Sequence, residues 1–174
     1  MTLLRPPSAD ELIDEDAFDE DEFLPYWAEL WPSGIALAGL VGERDLAGLR
    51  VLELGAGLGL PSLAAALRGG DVLATDWAPD AVALLRANAE RNHVRLRVEQ
   101  VRWDDPAPIL DAAPFDLVLA ADVLYEARNA EQLVALLPRL GGEILLADPG
   151  RPFAKEFLGR WDVETLADGL YRLR

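Results

Sequence analysis

The stretch that decides the fold is VLELGAGLGLPSLAAALRGGDVLATD, residues 51–76. It reads as a short apolar strand (51–54), a glycine loop, a helix rich in Ala and Leu (60–67), and a second strand (72–75) followed by Asp76. In an open parallel sheet a ligand sits beyond the carboxyl ends of the strands, where the strand order reverses. Gly55 and Gly57 let the backbone turn tightly and approach such a ligand, and Gly59 opens the helix, whose first amides face a polar group.

The side chains around the loop select among ligands. The spacing is G-x-G-x-G, whereas the dinucleotide fingerprint is G-x-G-x-x-G and would need its third glycine at Leu60. A phosphate loop ends in Gly-Lys-Ser/Thr, and this loop contains no Lys. Glu53 stands just before the turn, where a carboxylate repels a pyrophosphate but suits a ligand carrying an ammonium and a sulfonium. Asp76 ends the next strand about twenty residues on, the place from which a carboxylate takes ribose hydroxyls. These features favour S-adenosylmethionine over NAD.

Outward from this stretch, strands and helices alternate, which implies an α/β fold with a mostly parallel sheet between helices. Residues 78–92 read as a helix stopped near Asn92, and 94–101 alternate apolar and polar as in a strand near a sheet edge. FDLVLAAD (115–122) and GGEILLAD (141–148) read as central strands. A helix broken near Pro138 separates them, and a short helix over 153–160 follows. WDVETLADGLYRLR (161–174) reads as a closing hairpin turned at Asp168–Gly169. Upstream, Ser33 is the expected N-cap of an apolar helix beginning at SGIALAG.

The third strand ends in VRWDDP, placing Trp103 and Asp104 at the ligand edge. Trp103 can lie against an adenine face, with Asp104 accepting from its exocyclic amine, or it can simply cover the sheet edge. AADVLYE puts Ala121, Asp122 and Tyr125 where a methyl group would be passed. Tyr26 and Trp27 extend an aromatic slot or belong to the core. His93, the one histidine, reads as a loop residue at a helix terminus.

Composition narrows the partners. A chain of 174 residues fits one domain, expected over 24–174, preceded by an acidic arm over 1–23. Residues 9–23 carry nine acidic side chains and no basic one, either a solvated arm or a lid or recognition arm for a basic substrate. The net charge of −15 argues against sequence-independent nucleic-acid binding and is compatible with a basic protein partner. The absence of cysteine excludes disulfides, thiolate zinc sites and cysteine nucleophiles; no metal, membrane span or signal peptide is expected, and the setting expected is cytoplasmic.

PYWAELWPSGIALA, VLELGAGLGLPSLAAA, ATDWAPDAVALLRANAERN, VRWDD and FDLVLAADVLYE occur in that order over roughly 24–150. Together they resemble the seven-stranded lysine methyltransferases that include the electron-transfer flavoprotein β-subunit and valosin-containing-protein enzymes. Some bacterial members carry a nicotinamide N-methyltransferase-like label. The resemblance implies a Rossmann-like class I methyltransferase with a seven-stranded sheet, helices on both faces and a C-terminal antiparallel hairpin. It implies that Trp31, Glu53, Gly55, Gly57, Asp76, Trp77, Trp103, Asp104 and Ala121 hold S-adenosylmethionine, with Asp122 and Tyr125 at the acceptor nitrogen. A monomer methylating a lysine of a protein partner is expected. A small-molecule N-methyltransferase and a non-catalytic binding module are the alternatives.

Overall fold

The computed structural model describes residues 1–6 and 26–174. The acidic run at 9–23 lies outside the described residues. From Tyr26 the chain makes a short 3-10 turn, Tyr26–Ala28, and then α1, Pro32–Gly42. The expected Ser33 cap is not formed. Pro32 occupies the first helical position, where its missing N–H costs nothing, so Trp31 takes the N-cap position and Ser33 is buried one residue inside.

Strand–helix alternation then proceeds as β1 Arg50–Leu54, α2 Leu60–Leu67, β2 Asp71–Asp76, α3 Pro79–Arg91 and β3 Arg97–Gln100. It continues with α4 Ala107–Ala112, β4 Leu117–Ala121, α5 Ala127–Leu136, β5 Glu143–Ala147 and α6 Ala154–Leu158, closing on β6 Val163–Ala167 and β7 Leu170–Leu173. The order across the sheet is β3-β2-β1-β4-β5-β7-β6, parallel from β3 to β5, with β7 antiparallel to both β5 and β6.

Alternation along the central strands divides the core in two, because successive side chains point to opposite faces. Val51, Leu117, Leu119, Leu145 and Ala147 pack with Leu37 and Val41 of α1 and Ala65 of α2. Leu52, Leu54, Val118, Ala120 and Leu146 pack on the other face with Ile109 of α4, Leu133 of α5 and Phe157 of α6. Leu85 of α3 packs against Ala74, on the first face. The edge strand β3 is exposed except at Val98, which is half-buried, consistent with its edge position.

Two elements depart from sequence expectation. Helix α4 sits in PAPILDAAP, where prolines disguise it; Pro106 and Pro108 fall at the cap and first turn, where proline is tolerated, Pro114 lies beyond the helix end, and Ile109 is wholly buried. The closing hairpin does turn at Asp168–Gly169, but Gly169 alone of the two has positive φ (67°), and the register slips by one residue between Thr165 and Ala167.

The strand order reverses between β1 and β4. The chain runs outward from β1 to β2 and β3, then crosses back to β4 and outward again. The carboxyl ends of β1 and β4 therefore diverge into different loops and leave a crevice between them.

Candidate functional site

A cavity of about 1030 Å³ opens over that crevice, and every site candidate named from the sequence lines it. Its walls differ in kind.

One wall is the glycine loop. Gly57 and Gly59 have φ of 50° and 78°. A Cβ on Gly59 would fall 1.9 Å from Leu85 Cδ1 of α3, and one on Gly57 would meet the Trp27 carbonyl oxygen at 3.0 Å, so side chains are excluded by both strain and space. Asp76 fixes the loop's shape: its carboxylate accepts from the Gly57 N–H at 2.8 Å and the Ala78 N–H at 3.0 Å. Glu53 is buried and accepts from the Ser62 N–H at 2.8 Å and from the Ser62 hydroxyl, inside the first turn of α2. Burial pushes the Glu53 carboxyl up to about 8, with the nearby Asp76 adding to the effect, and burial raises Asp76 as well. Two buried carboxyls thus stand beside an open cavity, where a cation would favour their ionised form.

The adenine-side candidates lie at the ends of β2 and β3. The Trp103 ring approaches Gly55 closely, its Cζ2 3.5 Å from where a Cβ would sit, and it both packs on the hydrophobic core and lines the cavity. Asp104 is exposed, and its carboxylate pairs with the Arg102 guanidinium at 2.9 and 3.0 Å, which holds it below the usual carboxylate range. Trp77 follows Asp76 directly, and its carbonyl accepts from Gln100 at 2.9 Å.

The opposite wall gathers residues from distant segments. Asp122, at the end of β4, is buried and adopts φ 57°, a left-handed backbone rarely used outside glycine and costing about 1–3 kcal/mol. Its N–H donates to Ala147 at 2.9 Å, which pins the strained residue to β5. Tyr125 packs against Tyr26 with ring centroids 5.1 Å apart, and Tyr26 in turn lies 6.4 Å from Trp31. The Trp31 indole N–H donates to the Tyr26 carbonyl at 2.8 Å. Burial raises the Tyr125 phenol above its ordinary value, so it stays protonated near neutral pH.

Three polar residues, one lining the cavity and two behind its walls, shape the site without any sequence expectation. Asp148 ends β5, next to Asp122 across the sheet, and its Oδ1 accepts from the Gly150 and Arg151 N–H groups, both at 2.8 Å. Arg151 reaches back to Asp122, Nε at 3.0 Å and Nη2 at 2.9 Å from Oδ1, with its guanidinium 5.1 Å from the Trp31 ring centre. Asn88, buried on α3, donates to the Leu58 carbonyl of the glycine loop at 3.1 Å and exchanges two hydrogen bonds with Leu4. The position of Asp148 at a strand's carboxyl end is a signal that sequence alone contained. Nothing local marked Arg151 or Asn88. His93 sits past the end of α3 with φ 56°, among no site residues. Among the described residues no group of three or more His, Asp or Glu could hold a metal ion, and no helix is long and apolar enough to cross a membrane.

Residues 18–147 match the family described as lysine methyltransferase. The chain belongs to that family. It is 35% identical over 137 residues to the electron transfer flavoprotein β-subunit lysine methyltransferase of Xenopus laevis, covering 73% of this chain and 53% of that protein. It is 33% identical over 120 residues to the protein N-lysine methyltransferase METTL21A of Danio rerio, covering 65% and 55%. The histone-arginine methyltransferase METTL23 of Xenopus laevis is 34% identical over 115 residues, covering 63% and 49%. The chain spans about half the length of the curated relatives it matches. Among solved structures, the T. thermophilus 16S rRNA N2 G1207 methyltransferase, in complex with AdoMet and guanosine, superposes with a TM-score of 0.64 at 20% identity. That match covers 83% of this chain and 43% of the other, and shows that the two share a fold, the Rossmann-like class I arrangement.

Proposed function

We propose that this protein transfers a methyl group from S-adenosylmethionine to a nitrogen, and that the acceptor is a lysine side chain of a protein. One observation carries it: a single cavity joins the buried carboxyls Glu53 and Asp76 at one end to Asp122 and Tyr125 at the other. The cofactor end fits its ligand in charge and shape. A buried carboxyl raised to about 8 is poised to ionise when an ammonium arrives, and would oppose a pyrophosphate. Asp76 accepts from the loop at Gly57 through Oδ2 and from the Ala78 N–H after β2 through Oδ1, and keeps further lone pairs for ribose hydroxyls.

Bound there, S-adenosylmethionine would supply an electrophilic methyl on a positively charged sulfur. The chain's own residues align the acceptor and keep water away, the positioning that dominates an in-line displacement. Tyr26, Trp31 and Tyr125 form the aromatic side of the slot, and Asp122 orients the acceptor nitrogen. A lysine must shed a proton before it can attack, and Asp122 is the carboxylate at the acceptor end of the cavity that helps pass that proton on. The electron transfer flavoprotein and N-lysine relatives act on proteins, which supports a protein acceptor here. The net charge of −15 supports a basic one. A monomer in the cytoplasm completes the proposal, with 24–174 as the catalytic domain.

Calorimetric titration with S-adenosylmethionine, S-adenosylhomocysteine and NAD tests the cofactor assignment. Binding of both adenosyl ligands and not NAD is expected; binding of none would leave a non-catalytic module as the better account. Labelled-methyl transfer in cell lysate, against a panel of small amines, then tests the acceptor. Label in protein is expected, and label confined to the amines would overturn the protein assignment.

A further inference from the structure

The Asp122–Arg151 pair is lopsided in a way that a permanent ion pair need not be. Both Arg151 nitrogens aim at one oxygen, Oδ1, although guanidinium and carboxylate can bond fork to fork through two. Oδ2 of Asp122 is buried and has no hydrogen-bond partner among the described residues. The Asp148 Oδ2 on the adjacent strand is in the same condition. The partners also differ in their freedom: the Asp122 side chain is 5% exposed, that of Arg151 29%. Arg151 therefore has a route to water that Asp122 lacks. A buried carboxylate cannot be left unpaired without a large desolvation penalty, so Arg151 leaves readily only if another cation takes its place.

The setting of the guanidinium matters equally. Its carbon lies 5.1 Å from the Trp31 ring centre, within the range at which an aromatic face attracts a cation. Tyr26 and Tyr125 continue that aromatic surface, and all of these residues line the methyl-transfer cavity. Arg151 thus rests on an acidic group and an aromatic face together, the two contacts that a cationic side chain on an alkyl stem would seek. Its backbone is anchored separately, by the Asp148 carboxylate accepting from the Gly150 and Arg151 N–H groups, so the side chain can swing without unravelling the loop.

We propose that Arg151 is an internal stand-in for the acceptor: its guanidinium occupies the cation subsite formed by Asp122 and Trp31, and the acceptor's ammonium or guanidinium enters by exchanging with it. Arg151 then sets specificity by competition, admitting cations and excluding neutral groups that cannot compensate Asp122. That the incoming cation is the methyl acceptor rests on the function proposed above; the exchange itself does not.

The test uses the full chain and two probes, n-butylammonium and n-butylguanidinium. Binding is followed by the NMR signal of the Trp31 indole N–H, identified as the one lost in Trp31→Phe. Arg151→Met is expected to tighten the probes about tenfold, with the gain persisting in high salt, where a long-range charge effect would be screened. Asp122→Asn is expected to abolish probe binding. Whichever probe gains more identifies the side-chain class that the subsite takes. Unchanged or weaker binding by Arg151→Met would overturn the exchange and make Arg151 a fixed clamp. Arg151→Lys keeps the charge but loses the two-nitrogen hold, and its expected intermediate gain keeps the proposal testable if Arg151→Met does not fold. S-adenosylhomocysteine is titrated into the same proteins. Failure of that ligand to bind even the unmodified chain would overturn the cofactor assignment and leave the cation measurements intact.

Discussion

The two walls of the cavity are built on different principles. The cofactor wall comes from one strand–loop–helix–strand unit, in which Ser62 donates to Glu53 nine residues away and Gly57 to Asp76 nineteen residues away. The acceptor wall joins Trp31, Asp122, Asp148 and Arg151, brought from three segments of the chain and held by β4–β5 pairing and the C-terminal hairpin. Asp148 N–H donates to the Gly169 carbonyl in the hairpin turn at 2.9 Å, so even the last strands support this wall. A local unit can keep its geometry while the opposite wall changes, and that separation lets one cofactor site serve different acceptors.

The sharpest way to probe the cofactor wall is Glu53→Gln. The folded, ligand-free protein holds a proton on Glu53 up to about pH 8, whereas the unfolded chain releases it near the ordinary 4.5. Stability therefore falls as pH rises from about 4.5 to about 8, and at about 1.4 kcal/mol per pH unit the ceiling is about 5 kcal/mol. Denaturant unfolding at several pH values should show a steeper fall in the wild type than in Glu53→Gln, where Asp76 and Asp148, both raised by burial, leave a smaller slope of the same sign, and Glu53→Gln should be the more stable protein near pH 8. Equal slopes would show that Glu53 is ionised in the empty site.

Asp122→Asn separates the walls directly. Labelled-methyl transfer should fall a hundredfold or more, in line with loss of a group that handles a proton (about 10²–10⁴), while S-adenosylhomocysteine affinity stays within about twofold. Comparable loss of both would mean that the walls are not independent. Asp76→Asn is the mirror experiment. Losing a charged acceptor at the ribose position and weakening the Gly57 tether should cost about 1.5–3 kcal/mol of adenosyl-ligand binding, roughly ten- to hundredfold. Probe-cation binding at Asp122 should not change. The smallest effect is expected for Asn88→Ala. It releases the Leu58 carbonyl and the Leu4 backbone, lowering stability by about 1–2 kcal/mol and adenosyl affinity a few fold. No change in affinity would show that the Asn88 bond does not shape the glycine loop.

The same contrast explains how much was legible in the sequence. The strands, the glycine loop, the closing hairpin and both carboxylates of the cofactor wall are written in local patterns: apolar runs, glycine spacing, an acid at a strand end. Helix α4 escaped because its prolines mimic a loop and only the burial of Ile109 reveals its packing. The start of α1 was displaced because Pro32 outweighs a nearby serine as a helix initiator. Asp122 and Tyr125 were legible from their place after the fourth strand and through family resemblance, but the left-handed backbone at Asp122 was not.

The sequence by itself determined the parallel sheet, its crevice and the acidic character of the cofactor loop, because each depends on residues close together in the chain whose periodicity and conformational limits are local properties. Only the tertiary structure decided that Arg151 meets Asp122 over Trp31 and that Asn88 ties Leu4 to the glycine loop. Those contacts join residues 29 to 120 positions apart, and no local pattern encodes which of many surface arginines or asparagines the folded sheet will bring to a buried partner.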